Sequence, residues 1–193
     1  MAGERRVTDP AALRAMAHPL RLRLYYALVL AGSATATRLA EGVDESVSLV
    51  SYHLRQLARH GFLTADAEPP DGADRRERWW RPTTVGFTWT PSDLDDGPEG
   101  AQAVAAALRQ SDAHRAAYRQ AWLDAQAGWS AAWRDASLTT DTPLLRMTPE
   151  ELRAFGVEYE QLLRSWRDRL AARADGEERE HVMLALQAFP FRP

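Results

Sequence analysis

The chain has 193 residues, 45% of them hydrophobic, and a net charge of −3, made up of +2 in residues 1–90 and −5 in residues 91–193. That length allows one large domain or two small ones, and the absence of cysteine excludes disulfide bonds, thiolate metal sites and thiol nucleophiles. Because no apolar run of about eighteen residues and no signal-peptide core occur, we expect a cytoplasmic protein without a membrane partner.

The first two predicted helices are separated by a proline. Asp9 is placed to cap a helix that begins at Pro10, which fits the first helical position. His18 ends this helix, because the residue before a proline disfavours helical geometry. The second helix runs from Pro19 to about Ala31 and is nearly all apolar, which predicts the central helix of the core.

A short helix, a turn and a longer helix follow. Thr35 or Thr37 is predicted to cap a short helix over residues 38–41, which Gly42 ends. The next helix begins after Ser46, whose hydroxyl can cap it, and it ends before a glycine at position 61. This order of elements is typical of a helix-turn-helix.

The longer of these helices has two different faces. Val50, Leu54 and Leu57 recur at spacings of four and three, which predicts one buried side. The other side has no acidic residue and carries groups able to bond phosphate oxygens or base edges, although an ordinary amphipathic surface helix also has a polar face. With its cap, this helix supplies seven candidate DNA contacts: Ser46, Val47, Ser48, Ser51, Tyr52, Arg55 and Arg59.

A β-hairpin is predicted after this helix. Residues 62–65 favour a strand, residues 68–74 are rich in turn formers, and residues 75–81 favour a basic return strand. A helix-turn-helix followed by such a hairpin forms a winged helix. The arginines of the return strand either contact DNA phosphates or lie on a solvated strand edge. They are Arg75, Arg76 and Arg78.

Several linked motifs occur in order between residues 9 and 90. They are AHPLRLRL at 17–24, LAE at 39–41, VSYHLRQL at 50–57 and HGFL at 60–63. Together they resemble the ArsR-type winged-helix repressors. The resemblance implies a homodimer that binds palindromic operators in double-stranded DNA and releases them when an effector binds.

The metal sites of that family are not reproduced in this chain. Where the family's metal sensors carry a cysteine pair on the third helix, this chain has residues 38–42 without a ligand. A second family site pairs Asp-x-His with a downstream histidine, but only Asp112 and His114 match, and Ala125 stands at the downstream position. We therefore expect no metal and no cofactor, and His114 is expected to be packed or solvated on a helix.

The second half is predicted to be helical after a linker at residues 91–98. One helix is expected from Glu99 to about Ala136, and a capping box at Thr148 opens another. Residues 181–191 alternate in a way that slightly favours a closing strand.

An aromatic stripe in this half admits two interpretations. Tyr118, Trp122, Trp129 and Trp133 are spaced four, seven and four, which is typical of a dimer seam. The alternative is a binding pocket for a small apolar or aromatic effector, and both can hold together. The candidate ligand-binding residues are Tyr118, Trp122, Trp129, Tyr159 and Trp166.

The sequence predicts a mainly α fold with a small β-wing. Residues 1–92 form a winged helix-turn-helix domain, and residues 99–193 form a long-helix dimerisation and effector region with a terminal strand. No nucleophile elbow, phosphate loop or other catalytic motif occurs, so an enzyme is not expected. We expect a sequence-specific transcription regulator, with repression favoured. A winged-helix protein-interaction scaffold without DNA binding is the alternative.

Overall fold

The computed structural model shows a mainly helical chain with two small sheets, which confirms the predicted fold class. The residues that the structure describes are 4–65, 77–94, 97–137, 145–173, 175–177 and 179–190.

The first two helices have the predicted bounds. Helix α1 spans Pro10–Met16, and the Asp9 carboxylate accepts hydrogen bonds from the N–H groups of Ala11 and Ala12 at 2.9 and 3.2 Å. Helix α2 spans Pro19–Ala31, and most of its leucines are buried. The predicted caps and the core position of α2 are therefore confirmed.

Helices α3 (Ala36–Val43) and α4 (Val47–Arg59) form the helix-turn-helix. The Thr35 hydroxyl accepts from the backbone N–H of Arg38, and the Ser46 hydroxyl caps α4. The prediction that Gly42 ends α3 was wrong, because the helix continues to Val43 and closes at Asp44. Asp44 adopts the left-handed conformation (φ 55°), which aspartate tolerates better than most residues.

Three short antiparallel strands lie beside these helices. They are β2 (Ala34–Thr35), β3 (Leu63–Thr64) and β4 (Trp79–Pro82), in the order β2-β4-β3. Strands β3 and β4 confirm the hairpin pairing, while the predicted loop and the first residues of the return strand lie outside the described residues.

A second pair of strands joins the start of the chain to the end of this domain. Strand β1 (Glu4–Arg6) pairs in parallel with β5 (Gly86–Thr88). The pairing is reinforced next to the sheet, where Arg6 donates hydrogen bonds to both carboxylate oxygens of Asp93 at 2.6–3.1 Å. Thr90 also donates to this carboxylate, and together these bonds lower the pKa of Asp93 to about 2.

The core lies between α2, α4 and the sheet. Leu24, Leu28 and Tyr25 from α2 have no exposed surface, and the Tyr25 hydroxyl donates to the carbonyl oxygen of Thr84 at 2.9 Å. Phe62 packs edge-on against Tyr25, with ring centroids 6.2 Å apart. This core fixes the side of α4 that remains exposed.

The helix predicted for residues 99–136 is interrupted. Helix α5 spans Gly97–Ala125, a 3-10 turn follows at Gln126–Gly128, and α6 spans Ala131–Ala136. The chain turns here because glycine weakens a helix at position 128 and the Ser130 hydroxyl caps a new one. Tyr118 and Trp122 therefore do not share a helix with Trp129 and Trp133. The prediction that these four residues form a seam along one helix was wrong.

The chain divides into two compact units after Ala125. The predicted boundary lies at residues 92–99, but α5 packs against α1 and belongs to the first unit. That one part of the chain binds DNA and the other forms the dimer stays a prediction.

Helix α7 (Pro149–Ala171) dominates the second unit and begins with the predicted capping box. The Thr148 hydroxyl accepts from the N–H of Glu151, whose carboxylate accepts from the N–H of Thr148. Residues 179–190 form neither strand nor helix, so the predicted terminal strand is not seen there. Alternation alone does not make a strand, because a strand also needs a hydrogen-bonding partner, and the described part of this unit offers no sheet edge.

Candidate nucleic-acid interface

Helix α4 presents a continuous polar strip. At 100° per residue, Ser48, Tyr52, Arg55 and Arg59 fall within about 60° of one another on the helix surface, and all four are exposed. Ser51 is half-buried at the side of this strip. Ser46 and Val47 are exposed at the start of the helix. The structure thus brings the seven helix candidates to one end and one side of α4.

The opposite side of α4 is buried, as predicted. Val50, Leu54 and Leu57 have no exposed surface, and they pack in the core of the first unit. Because three successive turns are anchored in this way, the polar strip is held in a fixed orientation relative to α2 and α3.

The end of α4 is held by a contact that was not predicted. Gly61 closes the helix end with φ of +72°, and one guanidinium nitrogen of Arg5 donates to the carbonyl oxygen of His60 at 2.6 Å. The Arg5 guanidinium also lies over the Phe62 ring, 4.7 Å from its centroid. The sequence around Arg5 does not predict these contacts, because their partners are more than fifty residues away along the chain.

The wing contributes one described candidate. Arg78 is exposed just before β4, and its guanidinium lies over the Trp80 ring at 4.8 Å from the centroid. Arg75 and Arg76 lie outside the described residues.

The turn between α3 and α4 is acidic. Glu41, Asp44 and Glu45 line a shallow surface depression, which Thr37 of α3 and Ser46 also border. Carboxylates repel phosphates, so these three side chains are not expected to contact a nucleic-acid backbone.

Two histidines meet beneath the polar strip. His18 precedes α2 and His53 belongs to α4, and their ring centroids are 4.5 Å apart. The Nδ1 atoms of both are buried and have no hydrogen-bond partner among the described residues. Burial lowers the pKa of both imidazoles, and the neighbouring Arg21 guanidinium lowers both further. His114 on α5 is also buried, and its pKa is lowered in the same way, mainly by burial.

We expect the fold to lose stability as the pH falls below about 6.5, the ordinary histidine value. The lowered pKa values of His18, His53 and His114 mean that the unfolded chain binds protons more readily than the folded one. Their contribution is complete above that pH and is lost as the pH falls towards the lowered folded-state values. Urea unfolding at about pH 7.5 and pH 5.5 measures the difference.

A His18→Asn/His53→Asn double variant is the control for this prediction. Its free energy of unfolding should change less between the two pH values than that of the unsubstituted chain. An equal change in both proteins would contradict the contribution of His18 and His53 to the pH dependence.

The candidate ligand-binding aromatics are distributed over both units. Tyr118 and Trp122 belong to α5, where Tyr118 packs edge-on against His114 at 4.5 Å and His114 stacks on Tyr26 at 4.9 Å. In the second unit, Trp129 packs edge-on against Trp133, and Tyr159 and Trp166 lie on α7. The face of Trp166 is covered by the Arg169 guanidinium, 4.0 Å from the ring centroid.

Asp112 and His114, the two residues that match part of the family's metal site, make other contacts. Asp112 forms an ion pair with Arg115, and the imidazole of His114 is enclosed by Tyr26 and Tyr118. Among the described residues, no three histidine or acidic side chains gather where they could hold a metal ion.

Residues 16–65 match the family model of the helix-turn-helix domain, which is about a quarter of the chain. The matched range runs from the end of α1 through α4 to β3, and it contains the whole polar strip. A domain of this kind indicates a DNA-binding transcription regulator. No match to the chain was found among curated proteins. Within the described residues, no helix has the length and apolar character needed to cross a membrane.

Proposed function

We propose that the chain is an ArsR-type transcription regulator, most simply a repressor, that places α4 in the major groove of double-stranded DNA. The observation that carries the proposal is the acid-free, exposed strip formed by Ser48, Tyr52, Arg55 and Arg59. An α-helix fits the major groove, where guanidinium, hydroxyl and phenol groups can bond base edges and phosphates.

The order of elements supports the same orientation. In a helix-turn-helix, the first helix crosses the DNA backbone while the second enters the groove with its N-terminal residues leading. The exposed Ser46 and Val47 are at that end of α4. Arg78, just before β4, is exposed, and we propose that it contacts phosphates beside the groove.

A titration with DNA tests this function. Full-length protein is mixed with a random duplex library of about 30 base pairs, which spans two half-sites one helical turn apart. Affinity should fall steeply as salt rises, because bound arginines release counterions from the phosphates. A protein-interaction scaffold would show no DNA binding even at low salt, and that result would overturn the proposal.

We further propose that the regulator acts as a homodimer on a palindromic operator. The supporting observation is α7, none of whose residues is buried among the residues that the structure describes. Five of its large apolar side chains are at least 38% exposed, and four of them share one side of the helix, an apolar surface that monomeric proteins rarely leave in water. These four are Phe155, Leu162, Trp166 and Leu170.

Sedimentation at micromolar concentration should therefore give about twice the chain mass of 21.6 kDa. The double variant Leu162→Glu/Trp166→Glu should shift the protein towards monomer, because burying a charge in an apolar interface is costly. Glu158→Gln, on the same helix, is the control and should leave the mass unchanged. A clean monomer for the unsubstituted chain would contradict the dimer.

Release of DNA by a small apolar or aromatic effector completes the proposal. Its support is the aromatic content of the second half, with Tyr118, Trp122, Trp129, Tyr159 and Trp166 as the candidate residues. An effector releases DNA only as far as it binds the DNA-free state more tightly than the DNA-bound state. Tryptophan fluorescence would report such binding.

A further inference from the structure

One arginine of the helix-turn-helix is held in place although it lies outside α4. Arg38 lies on α3, and the central carbon of its guanidinium is 5.1 Å from the centroid of the Trp79 ring. Arg38 is exposed, whereas Trp79 is only 2% exposed. Among the described residues, the Arg38 guanidinium has neither an ion pair with a carboxylate nor a side-chain hydrogen bond.

This arrangement leaves the donors of Arg38 free. A guanidinium stacked on an indole uses its flat face, while its five N–H groups point outward in the plane and remain available. Stacking also restricts the rotamers of a long side chain before any ligand binds. Less conformational entropy is then lost on binding, so the orientation favours a ligand that accepts several hydrogen bonds.

Arg38 lies next to the acidic residues at the end of α3 but packs on an aromatic ring instead of pairing with them. Thr37, Glu41 and Asp44 border the acidic depression at the turn, whereas Arg38 is directed towards Trp79 on β4. Glu41 lies only about 60° from Arg38 around the helix axis. Among the described residues the two form no ion pair, so the charge of Arg38 remains available to a polyanion. Trp79 and Trp80 are successive residues of β4, so their side chains point to opposite faces of the sheet, and Arg38 contacts the face on which Trp79 lies.

We propose that Arg38 binds a backbone phosphate of DNA, with Trp79 as a positioning residue that orients its guanidinium. The inference rests on the proposed function, because it requires α4 in the groove and α3 crossing the backbone. A phosphate contact at Arg38 would fix the register of the protein on the duplex without reading sequence. Arg38 and Arg78 would then contact the backbone from α3 and from the wing.

The test uses full-length protein and two labelled duplexes of about 30 base pairs, one selected by the unsubstituted protein and one scrambled. Arg38→Ala should weaken binding to both duplexes by the same factor, roughly tenfold for one charged hydrogen-bonding contact. The slope of log affinity against log salt should become shallower by about 0.9. Arg109→Ala is the matched control, because it removes the same charge from an exposed site on α5.

Three further variants separate the charge of Arg38 from the orientation of its guanidinium. Arg38→Lys keeps the charge but cannot lie flat on the indole, so it should keep the salt slope and still bind more weakly than the unsubstituted protein. Trp79→Phe keeps an aromatic face and should bind better than Trp79→Leu. Because Trp79 is buried, circular dichroism checks that both variants fold, and the Arg38→Lys result stands without them.

The outcomes distinguish this inference from the proposed function. If the unsubstituted protein bound neither duplex at low salt, the DNA-binding function itself would fail. If it bound and Arg38→Ala behaved like Arg109→Ala, only the Arg38 contact would be wrong. A loss confined to the selected duplex would also overturn the inference, because it would make Arg38 a base-reading residue.

Discussion

Replacing Leu54 with alanine is expected to lower the free energy of unfolding by about 2–5 kcal/mol. Leu54 has no exposed surface and lies at the centre of the buried side of α4. The substitution removes apolar contacts and leaves a cavity between α4 and the core, which close-packed neighbours fill only partly. Urea unfolding followed by circular dichroism measures the change.

Leu49→Ala is the matched control for this prediction. Leu49 lies on the same helix and the substitution is chemically identical, but its side chain is 37% exposed. The expected loss is well below that of Leu54→Ala, since partly exposed side chains leave no closed cavity. Equal losses for the two variants would show that the buried side of α4 has been misassigned.

The helices of the first unit could be predicted because their signals are local. The Asp9 and Ser46 caps bond to N–H groups two or three residues away, and both ends of α2 are marked by adjacent Pro19 and Gly32. The polar and buried sides of α4 follow from spacing alone. Caps and spacings of this kind can be recognised from the residues of one or two helical turns, without knowledge of the rest of the chain.

The short strands could not be predicted in the same way. Strands β1 and β2 have three and two residues, too few to show an alternating pattern, and they form only because β5 and β4 lie next to them. The contacts of Arg5 and Arg38 depend on that placement. An exposed arginine in a sequence therefore does not reveal which aromatic ring or carbonyl oxygen it contacts in the fold.

The second half shows the limits of periodicity. The spacing of the four aromatics fitted one long helix, but α5 ends at Ala125, between the second and third, and Ser130 caps a new helix between the third and fourth. Capping at Thr148 was predictable, since it needs only residues 148–151. Whether a second chain covers the apolar side of α7 was not predictable, because the spacing shows only which residues share that side.

Replacing Arg55 with alanine is expected to reduce discrimination between the selected and scrambled duplexes by about 1–3 kcal/mol, the range for a lost bidentate contact to a base. Arg55 is exposed within the polar strip of α4, one turn after Ser51 and flanked by Tyr52 and Arg59. A guanidinium there can donate two parallel hydrogen bonds to the acceptors of one guanine, which an alanine cannot replace.

The comparison that decides this prediction is the ratio of the two affinities at one salt concentration. Arg55→Ala should lower the affinity for the selected duplex more than that for the scrambled one, whereas Arg38→Ala should lower both alike. Arg109→Ala should leave the ratio unchanged, since its site is on α5 and outside the strip. If Arg55→Ala changed neither affinity nor ratio, α4 would not lie in the groove, because an arginine at the centre of a recognition helix cannot be removed without effect.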